Sequence, residues 1–309
     1  MKPILTLTMN PTIDVGASVP KVFPDHKLRC TGLRRDPGGG GINVCRALRQ
    51  LGGEAIACYV AGGPSGEMLA ALLDGEKLDH RGIPIAGSTR ENFTADEEET
   101  GHQFRFVLPG PQLSAEEWQG CLDTIAATEP RPDYLVTSGS LPSGVPDDFY
   151  GRLAQTLRPH GVRVIADTSG APLAAAVRAG VFLIKPSLRE MRALTGEPLT
   201  SDAEQDAAAL RLVVSGQCEV VVVSLGAAGA LLATRDGCER FVSPEVEVRS
   251  RVGAGDSMVA GIALTLARGG SVREAVRFGL ASGAAAVMTA GTELCRREDA
   301  ERLFRQMPA

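Results

Sequence analysis

Short apolar runs alternate with amphipathic segments along most of the chain. The runs predict seven strands, at 4–8, 54–60, 134–137, 163–166, 182–184, 220–224 and 231–234. Between them, apolar positions at helical spacing predict nine helices, at 41–51, 65–74, 115–127, 147–157, 171–180, 188–195, 202–215, 256–268 and 272–289. Runs that are apolar at every position are typical of strands buried on both faces, and the alternation favours right-handed crossovers. We therefore expect an α/β fold with a mostly parallel sheet between helices, and ligands at the carboxyl ends of its strands.

The segment 88–108 departs from this rhythm, because its polar and apolar positions alternate with period two on both sides of a polar turn near 98–101. The alternation predicts a hairpin whose polar, cationic face carries Arg90, Asn92, Thr94, Gln103 and Arg105 and whose aromatic face carries Phe93, Phe104 and Phe106. A hairpin alone is marginally stable in water. We expect residues 12–32 to add strands to it, and a second subunit could cover the aromatic face. Two interpretations stay open: a decorative hairpin and a mobile lid over a substrate.

Composition narrows the class of protein. The chain has 309 residues, of which 44% are hydrophobic and 22% charged, which excludes a disordered, collagenous or coiled-coil protein. Its net charge of −5, without a basic block, argues against a nucleic-acid-binding surface. The apolar stretch 272–290 is interrupted by Arg273, Glu274 and Arg277, so no membrane span is expected.

The amino-terminal segment and the cysteines bear on the cellular compartment. Residues 1–14 read as a strand followed by a loop, without the apolar core and cleavage site of a signal peptide. The seven cysteines form no C-x-x-C pair, and Cys45, Cys58 and Cys121 lie in apolar-periodic stretches. We therefore expect buried, reduced thiols in a cytoplasmic protein. The four histidines form no H-E-x-x-H pattern, and no zinc site is expected.

The strongest chemical signal is the sequence Arg-Val-Gly-Ala-Gly-Asp at 251–256, which precedes a helical pattern. Backbone at Gly253, Ala254 and Gly255 can approach a ligand closely, and the amino end of a helix presents N–H groups to an anion such as a phosphoryl group. An acid at the same point would repel that anion. Asp256 is therefore either a helix N-cap or a base that accepts a proton from an attacking hydroxyl, and the pattern favours neither.

Two further glycine-bearing turns follow predicted strands or precede helices. The first is Pro-Gly-Gly-Gly-Gly-Ile-Asn at 37–43, where Asn43 could hydrogen-bond a sugar hydroxyl on the first turn of a helix. It matches neither the P-loop nor the G-x-G-x-x-G fingerprint. The second is the turn 225–230 after the buried run 220–224, which could seat a nucleotide but is also an ordinary strand–helix turn.

In this order, the three signals resemble the PfkB-type carbohydrate kinases of the ribokinase-like superfamily. The two family signatures correspond to GGGGINVCRALRQLGG (38–53) and SRVGAGDSMVAGIA (250–263). Five further stretches are similar to the members of this family that phosphorylate fructose 6-phosphate with ATP: TLTMNPTID (6–14), KLRC (27–30), PGGGGIN (37–43), FRFVLPG (104–110) and SGSLPSGV (138–145). The resemblance implies one kinase domain over 1–309, with a three-layer α/β/α core and a small β-sheet lid, from about 12–32 and 88–108, that also forms a homodimer.

The resemblance also implies roles for particular residues. Asp256 is the implied catalytic base, and the backbone of Gly253, Ala254 and Gly255 the implied anion hole. The implied ligands of the sugar hydroxyls are Asp14, Gly39, Gly40 and Asn43. Those of the sugar's own phosphate are Lys27, Arg29, Arg90, Asn92 and Arg105, with Ser140 nearby. Arginine suits this role because its planar guanidinium binds phosphate with two hydrogen bonds.

ATP and two cations are implied as well. The implied ATP site comprises Lys185, Ser187, Ser224, Leu225, Gly226 and Gly229. Glu190 would act through Mg²⁺ or its waters, and Asp167 is a further acid near the phosphates. A potassium site is implied beside the anion hole, with mainly carbonyl oxygens from Ser250, Val252, Ala286, Thr289 and Gly291.

Three positions depart from the family pattern. The family's Asn-x-x-Glu is Ser187-Leu-Arg-Glu190 here, so Mg²⁺ and phosphate positioning are expected to be weaker or rearranged. Arg251 stands where a small or β-branched residue is expected; it could help to bind a phosphate, or crowd the potassium site or the nucleotide. Glu293 also differs from the pattern near the cation.

The resemblance implies a phosphotransferase of glycolysis that converts fructose 6-phosphate to fructose 1,6-bisphosphate. Kinases of fructose 1-phosphate or tagatose 6-phosphate remain alternatives, because one sequence does not reveal how the hydroxyl stereochemistry is selected. An alternative of another class is a catalytically weakened sensor of sugar phosphate or nucleotide, which Ser187 and Arg251 motivate.

Overall fold

The structure, a computed structural model, describes residues 3–289, 291 and 293–308. In chain order its strands are β1 (Ile4–Thr8), β2 (Thr12–Val19), β3 (Thr31–Gly38), β4 (Ala55–Ala61), β5 (Asp79–Pro84), β6 (Arg90–Glu97), β7 (Gln103–Phe106), β8 (Tyr134–Ser138), β9 (Arg163–Asp167), β10 (Val181–Ile184), β11 (Cys218–Ser224), β12 (Ala230–Thr234) and β13 (Gly237–Phe241). Its helices are α1 (Gly40–Gln50), α2 (Gly63–Gly75), α3 (Ala115–Ala126), α4 (Phe149–Leu157), α5 (Gly170–Ala179), α6 (Leu188–Thr195), α7 (Asp202–Val214), α8 (Ala254–Ala267), α9 (Val272–Val287) and α10 (Arg297–Gln306).

The larger sheet has nine strands in the order β13-β12-β11-β10-β9-β8-β1-β4-β5. The seven strands from β11 to β5 run parallel to one another, and only β12 and β13 are antiparallel additions at one edge. Strand β1 is buried at every position, as its apolar run predicts for a strand covered on both faces. The prediction of a mostly parallel sheet is confirmed.

Helices cover both faces of this sheet. One apolar layer is formed between the sheet and residues of α1, α2, α8, α9 and α10. The other is formed with residues of α3, α4, α5, α6 and α7. The result is the three-layer α/β/α arrangement that was expected, with the carboxyl ends of the parallel strands gathered at one edge.

The elements that the sequence did not reveal lie at the edges of the core. Strand β5 has four exposed residues out of six and buries only Ile83, so it lacks the apolar run that marked the other strands. Strand β13 is also a partly exposed edge. Helix α10 buries only Ala300 and Leu303, and its remaining positions are dominated by charged side chains such as the ion pair Arg297–Glu301.

The smaller sheet, hereafter the lid, has the strand order β3-β2-β6-β7. The hairpin β6–β7 was predicted, and residues 12–32 do add a strand to it. Strand β3 begins only at Thr31 and continues to Gly38, six residues beyond the predicted segment. It therefore joins the lid directly to the glycine run 38–41, hereafter the glycine loop, which spans the end of β3 and the first residues of α1.

Cross-strand pairing defines the two faces of the lid. Thr94 pairs with Arg105, and Asp14 pairs with Asn92, so these four side chains share the polar face. Phe93 pairs with Phe106 on the other face, where their rings stack with centroids 6.1 Å apart. This confirms the predicted polar and aromatic faces.

Cys45, Cys58 and Cys121 are buried free thiols, as predicted. Burial raises the pKa of Cys45 to about 12 and that of Cys58 to about 11, so both are protonated at neutral pH. Among residues 3–289, 291 and 293–308, none of the helices combines the length and apolar character that spanning a bilayer would take.

Candidate active site

The carboxyl ends of three neighbouring strands carry predicted site residues. Asp167 ends β9, Lys185 follows β10 and Ser224 ends β11. Because these strands are parallel and adjacent, the three side chains meet at one edge of the sheet. The predicted nucleotide and phosphate residues of this region are thus neighbours.

Asp256 lies in the first turn of α8, two residues after the start of the helix at Ala254. Gly253 is the N-cap, with a left-handed φ of 74° that favours glycine, and no side chain caps the helix. The N-cap interpretation of Asp256 is therefore wrong, because the helix begins earlier than predicted. The backbone N–H groups of this first turn point out of the helix beside the carboxylate.

Asn43 connects the glycine loop to this carboxylate. Its Nδ2 donates to Asp256 Oδ2 over 3.0 Å, across 213 positions of sequence. The loop can come this close because its glycines leave no room for side chains: a Cβ at Gly40 would lie 2.3 Å from Ser138 Oγ, and one at Gly41 2.5 Å from Leu7 O. The four-glycine run therefore serves a close approach of backbone to backbone.

The surroundings of Asp256 make it a stronger proton acceptor than an ordinary aspartate. Burial raises its pKa from 3.8 to about 6, and the negative charges of Asp167 and Asp14 act in the same direction. The Asn43 hydrogen bond and the positive charge of Lys185 oppose this rise. A pKa close to neutral pH is what an efficient general base requires.

Lys185 and Asp167 form a buried ion pair beside α8. Lys185 Nζ lies 3.1 Å from Asp167 Oδ1, and the two side chains are 7% and 16% exposed. Burial alone would lower the pKa of Lys185, but the hydrogen bond and charge of Asp167, with the charges of Glu190 and Asp256, together outweigh it and raise the pKa, so the ammonium stays charged. A Cβ at Gly255 would lie 3.7 Å from this ammonium, which therefore faces the amino end of the helix.

On the lid, Asp14 lies between β3 and β6. Asn92 Nδ2 donates to Asp14 Oδ1 over 3.1 Å. A Cβ at Gly38 would lie 2.2 Å from Asp14 Oδ2, so the carboxylate occupies the space above this glycine. Burial raises the pKa of Asp14, although Asn92, Arg90 and Arg105 lower it.

Arg90 and Ser140 are both hydrogen-bonded to Asn10, which follows β1. The Arg90 guanidinium donates to the carbonyl oxygens of Asn10, Pro11 and Leu108, at 3.1, 3.4 and 3.0 Å. Asn10 Nδ2 donates to Ser140 Oγ over 3.1 Å. Arg105 lines a small cavity together with Asp14, Val252 and Gly291.

Lys27 and Arg29 are not brought into this group. Both lie in the exposed loop 20–30, between β2 and β3, and no hydrogen bond or ion pair among the described residues joins them to Arg90, Arg105 or Ser140. Within one chain, the predicted set of phosphate ligands is therefore split between the lid strands and this loop.

The residues predicted to bind ATP lie next to one another at the carboxyl edge of the larger sheet. Ser187 and Ser224 are joined by a parallel bridge, and Leu225 N donates to Gly229 O over 2.8 Å to close the turn around Gly226. Ser187 is the N-cap of α6. Its Oγ accepts from Glu190 N, and its N–H donates to Glu190 Oε2 over 2.7 Å, in a capping box.

The residues predicted to bind potassium also gather at one place. Ser250 Oγ donates to Gly291 O over 2.9 Å, and Thr289 Oγ1 lies 2.7 Å from Ala286 O. Val252 N donates to Ser250 Oγ over 3.2 Å. The loop 250–252 and the segment after α9 thus form one cluster of hydroxyl and carbonyl oxygens.

Three polar residues near the site were missed. Arg34 and Asp36, on β3, line the cavity with Asp14 and Arg105, and Arg34 reaches across Gly16 to Asp96 with a 2.8 Å ion pair. Arg46, on α1, is buried beside the glycine loop. Residues 31–38 carry charged side chains on both faces, Arg34 and Asp36 on one and Arg35 on the other, so no alternation could assign Arg34 or Asp36 to the inner face.

Comparison with known proteins agrees with this arrangement. Residues 5–299 match the model of the pfkB family carbohydrate kinases. The ATP-dependent 6-phosphofructokinase isozyme 2 of Mycobacterium tuberculosis is 50% identical over 97% of this chain and 88% of its own, and its namesake in Escherichia coli is 41% identical over 97% of both. The crystal structure of Escherichia coli phosphofructokinase-2 in complex with potassium superposes with a TM-score of 0.95, at 40% identity over 99% of both chains. The chain belongs to the pfkB family of carbohydrate kinases.

Proposed function

We propose that this chain is an ATP-dependent kinase that phosphorylates the 1-hydroxyl of fructose 6-phosphate and releases fructose 1,6-bisphosphate. Two supports come from the relatives: both of those described above are named ATP-dependent 6-phosphofructokinase, and a crystal structure of the Escherichia coli enzyme in complex with fructose-6-phosphate has a TM-score of 0.93 to this chain. The observation that carries the proposal is the position of Asp256. Its carboxylate, with a pKa near 6, lies beside the amino end of α8 and in contact with Asn43.

The reaction needs a base, an anion site and an aligned acceptor. With a pKa of about 6, Asp256 is roughly nine-tenths ionised at pH 7. As the 1-hydroxyl oxygen bonds to the γ-phosphorus of ATP, its proton passes to the Asp256 carboxylate. The bond between the γ-phosphorus and the β–γ bridging oxygen breaks, and ADP leaves with the electron pair.

The transferring phosphoryl group would lie at the backbone N–H groups of Gly253, Ala254 and Gly255. The amino end of α8 and the Lys185 ammonium stabilise its negative charge without reorganising during the reaction. Asn43 holds one oxygen of Asp256, so that the other can face the acceptor hydroxyl. Positioning and electrostatics therefore supply most of the acceleration, as is usual in phosphoryl transfer.

The oxygen chemistry of the site fits the implied cations. Carboxylate oxygens of Glu190 and Asp167 at the phosphate edge are of the type that Mg²⁺ prefers. Mg²⁺ bound with ATP would neutralise charge on the β- and γ-phosphates. Carbonyl oxygens accept two hydrogen bonds or ligands each, so those of Ala286 and Gly291 can still face a K⁺ ion while they accept from hydroxyls.

The lid would close over the sugar phosphate with its polar face inward. Arg90, Arg105 and Asn92 lie on that face and would bind the 6-phosphate, with Ser140 at the edge of the core. The outer face leaves Phe106 54% exposed and Leu33 59% exposed. A second copy of the chain covering this face would make the lid the interface of a homodimer and bring Lys27 and Arg29 of the loop 20–30 under a partner.

A panel of substrates tests the proposal. ADP release and the product would be measured with MgATP and fructose 6-phosphate, fructose 1-phosphate or tagatose 6-phosphate, each with K⁺ and with Na⁺. We expect the highest kcat/KM with fructose 6-phosphate. A preference for another sugar would establish one of the alternative kinases, and binding of both ligands without ADP release would establish a sensor.

A further inference from the structure

Arg46 is a charged side chain buried in α1, close to the site but outside the residues that the proposed mechanism uses. It is only 8% exposed. Its guanidinium forms a bidentate ion pair with Glu76, directly after α2, with N–O distances of 2.7, 2.8 and 3.0 Å. Such a pair is strongly directional, because the planar guanidinium fixes the geometry of both hydrogen bonds. Glu76 is 34% exposed and keeps contact with water.

The same guanidinium contacts two parts of the candidate site. Nη1 donates to the carbonyl oxygen of Pro37 over 3.2 Å, at the start of the glycine loop. Nη1 also lies 3.5 Å from Asn43 Oδ1, whose amide group bonds to Asp256 through Nδ2. A continuous series of contacts therefore runs from Glu76 through Arg46 and Asn43 to the carboxylate of Asp256.

The contacts of Asn43 with Arg46 and with Asp256 both require the same orientation of its side-chain amide. Its oxygen faces the Arg46 cation and its nitrogen faces the Asp256 anion. If the amide turned by half a rotation, its oxygen would oppose a carboxylate and its NH₂ group would oppose a guanidinium. Without the cation, the hydrogen bond to Asp256 would hold the amide less firmly, and a water molecule could replace that bond.

We propose that Arg46, held by Glu76, is a positioning residue that fixes the Asn43 amide toward Asp256 and anchors the glycine loop at Pro37. This inference rests on the proposed function, in which Asp256 is the base. Arg46 is not among the residues assigned to either substrate. It acts through Asn43 on the base and through Pro37 on the loop that includes Gly39 and Gly40.

The expected consequence is a change in the pH at which the base ionises. The groups that face Asp256 are Asn43 from α1, Lys185 and Asp167 from the sheet edge and Asp14 from the lid. Of these, Asn43 and Lys185 lower the pKa of Asp256. Loss of the Asn43 hydrogen bond would raise it further, by about one pH unit, which is the size of a single hydrogen bond to a carboxylate.

The experiment compares Arg46→Met with Arg49→Met, which removes an exposed arginine from the same helix. We expect the acidic limb of the kcat–pH profile to shift upward by about one pH unit in Arg46→Met. Its kcat would then be about fivefold lower at pH 6 and close to that of the parent enzyme above pH 8.5. The KM for the sugar phosphate should also rise, and that for ATP should not, while Arg49→Met should change none of these.

A folded Arg46→Met variant whose acidic limb is unmoved would overturn the inference, whatever its thermal stability. If that variant is insoluble, Glu76→Gln decides by the same criterion, with a smaller shift in the same direction, because the amide holds the guanidinium less firmly. In an Asn43→Ala background, Arg46→Met should add no further shift, whereas an additive shift would show that Arg46 acts on Asp256 by another route. Failure of the proposed function is distinguishable, because the unsubstituted enzyme would then release no ADP.

Discussion

Replacing Asp256 by asparagine should make the protein inactive and more stable at the same time. Asparagine has the same shape, and its side-chain oxygen can still accept from Asn43. Burial first, then the negative charges of Asp167 and Asp14, raise the pKa of the aspartate from 3.8 to about 6. At 1.36 kcal/mol for each unit of pKa, the ionised carboxylate costs the folded state about 2–3 kcal/mol.

The sign of this effect sets the pH range in which it is measured. Because the folded-state pKa lies above the unfolded-state value, the stabilisation by the protonated carboxyl is complete below about pH 3.8 and is lost as the pH rises to and past about 6. Asparagine does not ionise. The free energy of unfolding of Asp256→Asn, relative to the parent chain, should therefore increase by about 2–3 kcal/mol between pH 4 and pH 8, as measured by urea denaturation.

Activity and a matched control complete the test. Without a general base, kcat should fall at least about 10²-fold. Asp147→Asn alters an exposed aspartate outside the site and should change stability by less than about 0.5 kcal/mol at either pH. A stability difference for Asp256→Asn that does not depend on pH would refute the argument that this carboxylate is destabilised by its surroundings, and near-normal turnover would remove it as the base.

Three further substitutions test the lid, the ion pair and the nucleotide turn. Arg105→Ala should raise the KM for the sugar phosphate about tenfold or more and leave the KM for ATP unchanged. The control, Arg35→Ala, lies on the outer face of the lid and should alter neither KM. A rise confined to the KM for ATP would contradict the lid assignment. Lys185→Met leaves Asp167 buried without its cation, so the free energy of unfolding measured by urea titration should fall by about 3–5 kcal/mol. An unchanged midpoint of urea unfolding would mean that the ion pair is hydrated. Gly229→Ala would place a Cβ 1.8 Å from Phe241 O and should lower the free energy of unfolding by more than about 2 kcal/mol. Gly237 has a similar positive φ but open space around it, so Gly237→Ala is the control. Equal losses in the two variants would show that strain at φ, not the contact with Phe241, is responsible.

The sequence predicted the core well because burial leaves a strong periodic signal. Strand β1 and helix α6 were predicted with the bounds that the structure has, and other helix ends differ by one or two residues. The discrepancies have local causes. Helix α8 begins two residues early because Gly253 takes the left-handed conformation and caps it, where the glycines had indicated a loop. Edge elements such as β5 carry mixed polarity and give no such signal.

The candidate site was predictable in its parts and not in its connections. The motifs marked Asn43 and Asp256 separately, but the hydrogen bond between them joins two ends of the fold. Ser187 and Glu190 have the spacing of a capping box, and the structure realises it, so the carboxylate proposed for Mg²⁺ also holds the start of α6. Arg46 lies within a family signature, yet its role depends on Glu76, thirty residues later, which no local pattern pairs with it.

The charge distribution explains how one site can both attract phosphates and keep a base. Asp167 and Asp256 lie near the Lys185 ammonium, and the charge of Asp14 on the lid also acts on Asp256, so these three carboxylates together oppose the entry of anions. The positively charged groups lie on two sides of these carboxylates. On one side are the lid arginines, where the sugar phosphate would bind, and on the other is the amino end of α8, where the transferred phosphate would bind. Burial first, and then the negative charges of Asp167 and Asp14, raise the pKa of Asp256 to about 6. Removing a neighbouring negative charge would therefore ease anion binding but lower the pKa of Asp256, so the acids that repel the substrates also strengthen the base.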